Sequence, residues 1–468
     1  MTRTHSGSDA PTIRKLPMID APPVIGSVRA MRRNPLSLIE RVADECGGIG
    51  GFRIGPQLVA VVSDPAVVHE ILVDRSDDFI RGRIQQRVIG PVLGNGLLVS
   101  EGELHAKQRK LVLPHFIPRR IGRHVDVIAR EAERRIAAWP DGAELDLLRE
   151  MNELTMDIVT ELLFSSRLDN NRELAEAITT VLQWEMQAVS RVLPIPISVP
   201  TPANRRARAA ITRVRDWFST LVRQRRDDTV PSPDDDLMAL LLASRYEDGT
   251  AMSDDLLIDE VLTLWGAAQE TSADAQAWTG YLLATHPEVA QKARDEVDSV
   301  LAGRSVRHED LPNLPYTLQV FKESMRLYPP AAALMRESVR DTRLGGARIP
   351  RNTLILVSPY ALHRRTDLFA DPLRFDPDRF SRDRERALPR HAYLPFGTGK
   401  HVCIGNHLAM MEGHVLTVTM VQRVEVELLS AVPPEPELVI NIRPRGGLSA
   451  RVRHRTVSGT EPFEGDNR

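Results

Sequence analysis

The chain has 468 residues, of which 42% are hydrophobic and 26% charged, with a net charge of −2. That balance suits a globular protein with a large core, and nothing in it argues for nucleic acid as a partner. The two cysteines, Cys46 and Cys403, are far apart and lack Cys-x-x-Cys spacing, so a disulfide framework or structural zinc site is not expected.

The N-terminal stretch has no signal-peptide apolar core, and no run of ~20 apolar residues follows anywhere. A cytoplasmic protein without a membrane anchor is therefore expected. Residues 1–20 are polar and predict a disordered tail. Residues 21–468 contain no Gly/Ser linker or abrupt change of composition, and no internal repeat. Leu36-Ser37-Leu38-Ile39-Glu40 opens a short amphipathic helix ending near Gly47-Gly48. Phe52-Arg53-Ile54, Gly55-Pro56 and Leu58-Val59-Ala60-Val61-Val62 then read as a hairpin. Asp64-Pro65 caps the next helix. Residues 79–100 read as a long loop with apolar patches, a kind of segment that is usually functional.

From about residue 101 to 300 the pattern is helical. It is broken at Pro194, Pro196, Pro200 and Pro202, and again between Asp227 and Asp236. One long helix is predicted to start near Ser253-Asp254-Asp255 and to end before Pro287. Inside it, Leu264, Ala268, Thr271 and Ala275 share a face, with small residues that leave room beside something flat. Glu323 and Arg326 are an i, i+3 pair on another helix face. Asp376-Pro377-Asp378-Arg379-Phe380 offers a second arginine. Short strands and turns follow residue 330, and paired strands follow Val424. The fold class is mainly α with small β-sheets near both ends (α+β).

The most specific stretch is Phe396-Gly397-Thr398-Gly399-Lys400-His401-Val402-Cys403-Ile404-Gly405. Its three glycines permit positive φ and close backbone approach. Its cysteine sits where a loop becomes a helix, whose free N–H groups and dipole stabilise a thiolate. A thiolate so held can ligate haem iron and favour O–O cleavage.

This loop resembles the haem-binding loop of the cytochrome P450 family, and the resemblance covers nearly the whole chain. It implies one triangular domain over residues 21–468. It implies haem b (iron protoporphyrin IX), with Cys403 as the iron ligand and Phe396 and Gly405 in the cofactor loop. Gly266-Ala267-Ala268-Gln269-Glu270-Thr271-Ser272 resembles the family's oxygen-activating helix. There Glu270 and Thr271 would be catalytic, relaying protons so that the O–O bond cleaves heterolytically. Ala268, beside the cofactor, replaces the usual glycine and narrows the groove. His105, Arg109, Arg336 and His401 match positions that meet the haem propionates; at His401 many family members carry arginine. Glu323, Arg326 and Arg379 would form a buried structural network behind the haem.

The implied function is a monooxygenase that inserts one atom of O₂ into a hydrophobic small molecule, by hydroxylation or epoxidation. Residues 79–100, the Pro194–Pro202 break, Ala331-Ala332-Ala333-Leu334 and Gly446-Gly447-Leu448 match the pocket walls, and their apolar character favours a terpenoid, fatty acid or steroid. No flavin or iron–sulfur pattern is present, so electrons are expected from a ferredoxin and an NAD(P)H-dependent ferredoxin reductase. These would dock near Cys403, where Lys107, Lys110 and Lys400 offer positive charge. A monomer is expected. The alternatives are a haem-thiolate peroxygenase or isomerase needing no redox partner, against which the Glu270-Thr271 pair argues, and a haem-binding sensor without turnover.

Overall fold

The structure, a computed structural model, describes residues 14–22, 24–165, 172–189, 195–227 and 236–455. Its axis is the helix Asp254–Thr285. The Ser253 hydroxyl accepts the Leu256 N–H at its start, Asp254 and Asp255 complement the dipole, and Pro287 prevents continuation. The helix carries buried residues on nearly every side, as a central core helix must. Around it pack Leu147–Phe164, Pro202–Asp227, Pro315–Leu327 and Asn406–Arg423.

The largest sheet lies to one side. Its strand order is Ile49–Ile54, Gln57–Val62, Leu354–Val357, Leu334–Ser338, Phe79–Ile80. The expected hairpin forms its edge, in register from Ile49↔Val62 to Ile54↔Gln57. At the C-terminal end Val424–Leu428 pairs with Ser449–His454, which also holds Glu144–Asp146. A small hairpin, Pro436–Leu438 with Ile442–Pro444, lies against the central helix, where Trp278 Nε1 donates to the Ile442 carbonyl at 3.1 Å.

Two expectations change. The tail predicted for residues 1–20 is ordered from Arg14: Arg14–Lys15 pairs with Ala347–Ile349, and Leu16 and Ile19 are buried against the sheet. Two apolar side chains at the end of a polar stretch suffice to dock it; residues 1–13 lie outside the described residues. Residues 79–100 are not one long loop, because Arg83–Leu93 is a helix. Val88, Val92 and Leu93 are buried among residues of Arg172–Val189 and the central helix, and that packing overrides Gly90-Pro91 near its end. The Pro194–Pro202 break is described from Ile195 onward. There the fully buried Asn204 staples it, donating to the Pro196 and Val199 carbonyls at 2.9 Å each.

Glu323, Arg326 and Arg379 come together in the interior. Arg326 bonds Glu323 through Nε at 2.7 Å and Nη2 at 2.8 Å, and Arg379 Nε reaches the same carboxylate at 3.2 Å. Arg326 also donates to the carbonyls of His363, Pro372 and Arg374. Glu323 accepts the Asp376 N–H at 3.0 Å. One carboxylate thus ties a core helix to the 363–379 segment. Glu323→Ala strands two buried guanidinium groups, a change that costs ~3–5 kcal/mol. The expected outcome is little soluble holoprotein, checked by yield and haem content; a stable, haem-replete variant would contradict a structural role.

Candidate active site

The cysteine loop is held in place by its backbone. The Cys403 N–H donates to the Phe396 carbonyl at 3.0 Å, and Arg109 Nη1 donates to the Val402 carbonyl at 2.8 Å. Gly399 has φ +74°, and a Cβ there would sit 1.9 Å from the Leu72 carbonyl oxygen, so only glycine fits. Gly405 differs. Its φ is −87°, and a Cβ would meet nothing within 4 Å. It leaves open space beside the cysteine, in a turn that needs no positive φ. Phe396 packs with Ala275, Phe321 and Met325.

Cys403 keeps an exposed surface, yet protein surrounds it so closely that burial raises its thiol pKa, against opposing effects of the Gly405 N–H and Arg109. Both hold if the sulfur faces an internal void. The central helix shows the same signature. Gly266 and Ala267 are exposed and Ala268, Glu270 and Thr271 partly so, between the buried runs Val261–Trp265 and Ala273–Gly280. A Cβ on Gly266 would also meet nothing within 4 Å. Ala268 shares a hydrophobic cluster with Ile404 and Leu408. Just beyond, Ser272 Oγ donates to Glu412 at 3.0 Å and Gln276 Nε2 to the Gly413 carbonyl at 2.8 Å, pinning the two helices together.

On the helix, Thr271 Oγ1 donates to the Ala267 carbonyl at 2.8 Å, so its lone pairs remain to accept. Burial raises the Glu270 carboxyl, and Arg443 partly opposes this. Two buried acids accompany it. Glu185 is pushed up to about 8 by burial and by Glu270, and burial drives Asp274 well above the usual carboxylate range. Asp274, one turn after Glu270, was legible by spacing; Glu185 lies on another helix and was not.

His105, Arg109, Arg336 and His401 also converge. His401 Nδ1 and His105 Nε2 are 3.2 Å apart, and His401 Nε2 is 3.5 Å from Glu101. Burial lowers both histidines, His105 to about 3. Arg336 donates to the Met335 carbonyl at 2.8 Å, and burial depresses it. Two further members, Arg81 and Glu101, carry no local signal in the sequence. Arg81 is 8% exposed and gives Nη1 to the Leu97 and Leu98 carbonyls at 2.7 and 2.6 Å. Burial first, then Arg336, lowers it to about 10. Glu101 accepts the Arg81 N–H at 2.8 Å; burial would raise its carboxyl, but His401 and that amide hold it low. Arg81 and Arg336 thus face one carboxylate, while Arg109 stands beside Cys403. A cluster so rich in positive charge fits a cofactor edge bearing two carboxylates, as haem does. The basic residues expected near Cys403 are not free: Lys107 pairs with Glu103 at 2.8 Å, Lys110 with Glu247 and Lys400 with Asp77. The Gly446–Gly447 turn abuts Asp146, and Leu448 is buried in the helical core beside Leu147, so this turn is not a pocket wall.

A mainly helical fold with a glycine-framed cysteine opposite a small-residue helix defines a haem-thiolate oxidoreductase. The chain belongs to the cytochrome P450 family, whose model matches residues 17–447. It is 35% identical over 430 residues to cyclooctat-9-en-7-ol 5-monooxygenase of Streptomyces melanosporofaciens, covering 90% of this chain and 92% of the relative. It is 34% identical over 421 residues to pentalenene oxygenase of Streptomyces avermitilis, covering 88% and 92%. The fold matches a retinoic acid-bound cyanobacterial P450, CYP120A1, with TM-score 0.84 at 23% identity, covering 95% of this chain and all of that one. It also matches the haem domain of cytochrome P450DA with TM-score 0.85 at 22% identity, covering 95% and 98%. The protein is therefore a monooxygenase with haem b as cofactor, a hydrophobic substrate and external redox partners. Among the described residues no helix is long and apolar enough to cross a membrane.

The unbalanced arginine cluster generates a prediction. Arg81→Met should remove a buried cation from the propionate edge and speed haem transfer to an acceptor globin about tenfold, equivalent to about 1.4 kcal/mol. An unchanged rate would place Arg81 outside the cofactor contacts.

Proposed function

We propose that the chain oxidises a cyclic terpenoid at a haem held by Cys403, with Glu270 and Thr271 managing proton delivery. The observation that carries this reading is the pairing of Cys403, exposed inside the protein, with the small-residue turn of the central helix. When bound, haem b activates O₂ with two external electrons, so that one oxygen atom enters the substrate and the other leaves as water. Cys403 supplies the thiolate that tunes it. Arg81, Arg109 and Arg336 would hold and neutralise the propionates, with His105 and His401 as polar partners. The space left by Gly405 and Gly266 admits a flat group; Phe396 and Ala268 close on it.

Thr271 has its own proton committed to the Ala267 carbonyl. Its free lone pairs hold a water by accepting from it. Glu270 is the proton source. Its buried carboxyl keeps its proton to higher pH than an exposed glutamate, which suits an acid working near neutrality. The terpenoid class rests on the named activities of the Streptomyces relatives. A ferredoxin with an NAD(P)H-dependent reductase is the proposed electron source, and the protein would act as a cytoplasmic monomer. Spectral titration with terpenes, fatty acids and steroids tests the substrate class: terpenes should shift the Soret band most tightly.

Two variants test the site. Cys403→Ser should abolish the red-shifted Soret band of the ferrous carbon-monoxide adduct, and an unchanged band would remove Cys403 as ligand. Thr271→Ala should keep substrate binding and NADPH consumption but divert much of that consumption from product to hydrogen peroxide. Equal product per NADPH in variant and wild type would rule out the proton role.

A further inference from the structure

The helix Arg172–Val189 carries one residue that its amphipathic pattern does not explain. Leu174, Ile178, Val181 and Ala188 are buried, whereas Glu173, Glu176 and Gln187 are exposed, so the helix has a single apolar stripe. Glu185 stands inside that stripe, between Val181 and Ala188, and is only 7% exposed. The stripe shares one hydrophobic cluster with Leu264, Trp265 and Ala268 of the central helix, beside the turn that opens at Gly266 and Ala267. Trp184 Nε1 donates to Asn204 Oδ1 at 2.9 Å and fixes this end of the helix.

Glu185 makes no hydrogen bond or ion pair among the described residues, and its oxygens are not sealed in by protein. On an inward face, the little surface it keeps opens on the void beside the central helix. Burial, and then the charge of Glu270, push its carboxyl up to about 8, so at neutral pH it is an acid with an O–H to donate. Leaving such a group unpaired is costly, and the occupant of the void has to offer it an acceptor. A substrate carboxylate does not suit the place, because its charge would be buried among apolar side chains beside Glu270. The surrounding side chains are hydrocarbon and call for a hydrocarbon skeleton. We propose that Glu185 sets specificity by donating to a neutral oxygen, a hydroxyl or a ketone, already present on a cyclic terpenoid substrate. This rests on the terpenoid reading of the site, which it narrows. An earlier reaction, either an oxygenation or a cyclisation ended by water, must then install that oxygen before this enzyme acts.

The test is spectral titration of the holoenzyme with matched cyclic terpenes: borneol, camphor and bornane, then cedrol and cedrane, then ferruginol and abietatriene. In the best-bound set the oxygenated member should bind about tenfold more tightly than its parent hydrocarbon, the effect of one buried hydrogen bond. Borneol against camphor distinguishes the hydroxyl from the ketone. Glu185→Leu should erase the preference by weakening the oxygenated ligand alone, and Glu185→Gln, which keeps an N–H donor, should retain most of it. Glu185→Met serves if the leucine variant folds poorly. Equal affinity within every set would overturn the proposal and leave the terpenoid reading intact. A preference unchanged in Glu185→Leu would overturn it too, and more peroxide per NADPH in that variant would make Glu185 a proton relay instead. Failure of the whole panel to bind would remove the terpenoid reading, and this assignment with it.

Discussion

The structure depends on keeping one cysteine sulfur inside the protein, reachable by a cofactor and by little else. Burial alone works against this, because it raises the thiol and so disfavours the thiolate. The Gly405 N–H and Arg109 oppose it, and bound haem iron would supply the remaining stabilisation of the anion. The loop must therefore be rigid before the cofactor arrives. Its rigidity comes from the Phe396 carbonyl, from Arg109 on the Val402 carbonyl, and from the contact of Gly399 with the Leu72 backbone.

The rest of the architecture positions a second wall opposite that loop. The central helix is buried along most of its length but opens at Gly266 and Ala267, where small residues bound the void. Contacts from Ser272 and Gln276 to the helix after the cysteine fix the spacing between the walls. Behind the site, the Glu323 carboxylate gathers two arginines and a backbone amide, so the segment leading into the cysteine loop is tied to the core. The charges divide by function. Acids outnumber bases where Glu185, Glu270 and Asp274 gather, with Arg443 opposing two of them, and arginines outnumber acids around Glu101. Each excess becomes reasonable beside a group that carries protons or negative charge.

The sequence by itself determined the cysteine loop, the central helix with its Ser253 cap, the edge hairpin and the i, i+3 pair of Glu323 and Arg326. Each is a local pattern, in which spacing and residue type settle the conformation within a few residues. It did not reveal Arg81, Glu101 or Glu185, which are ordinary charged residues until distant segments bring them to the site. Nor did it reveal that Arg83–Leu93 is a helix, since only burial against other helices outweighs Gly90-Pro91. The third loop glycine carried a local expectation of unusual backbone, whereas folding uses it for space. Whether Lys110 and Lys400 were free to meet a partner was likewise undecided until Glu247 and Asp77 were placed beside them. Tertiary structure alone decides such matters, because desolvation and pairing depend on neighbours in space and not on neighbours along the chain.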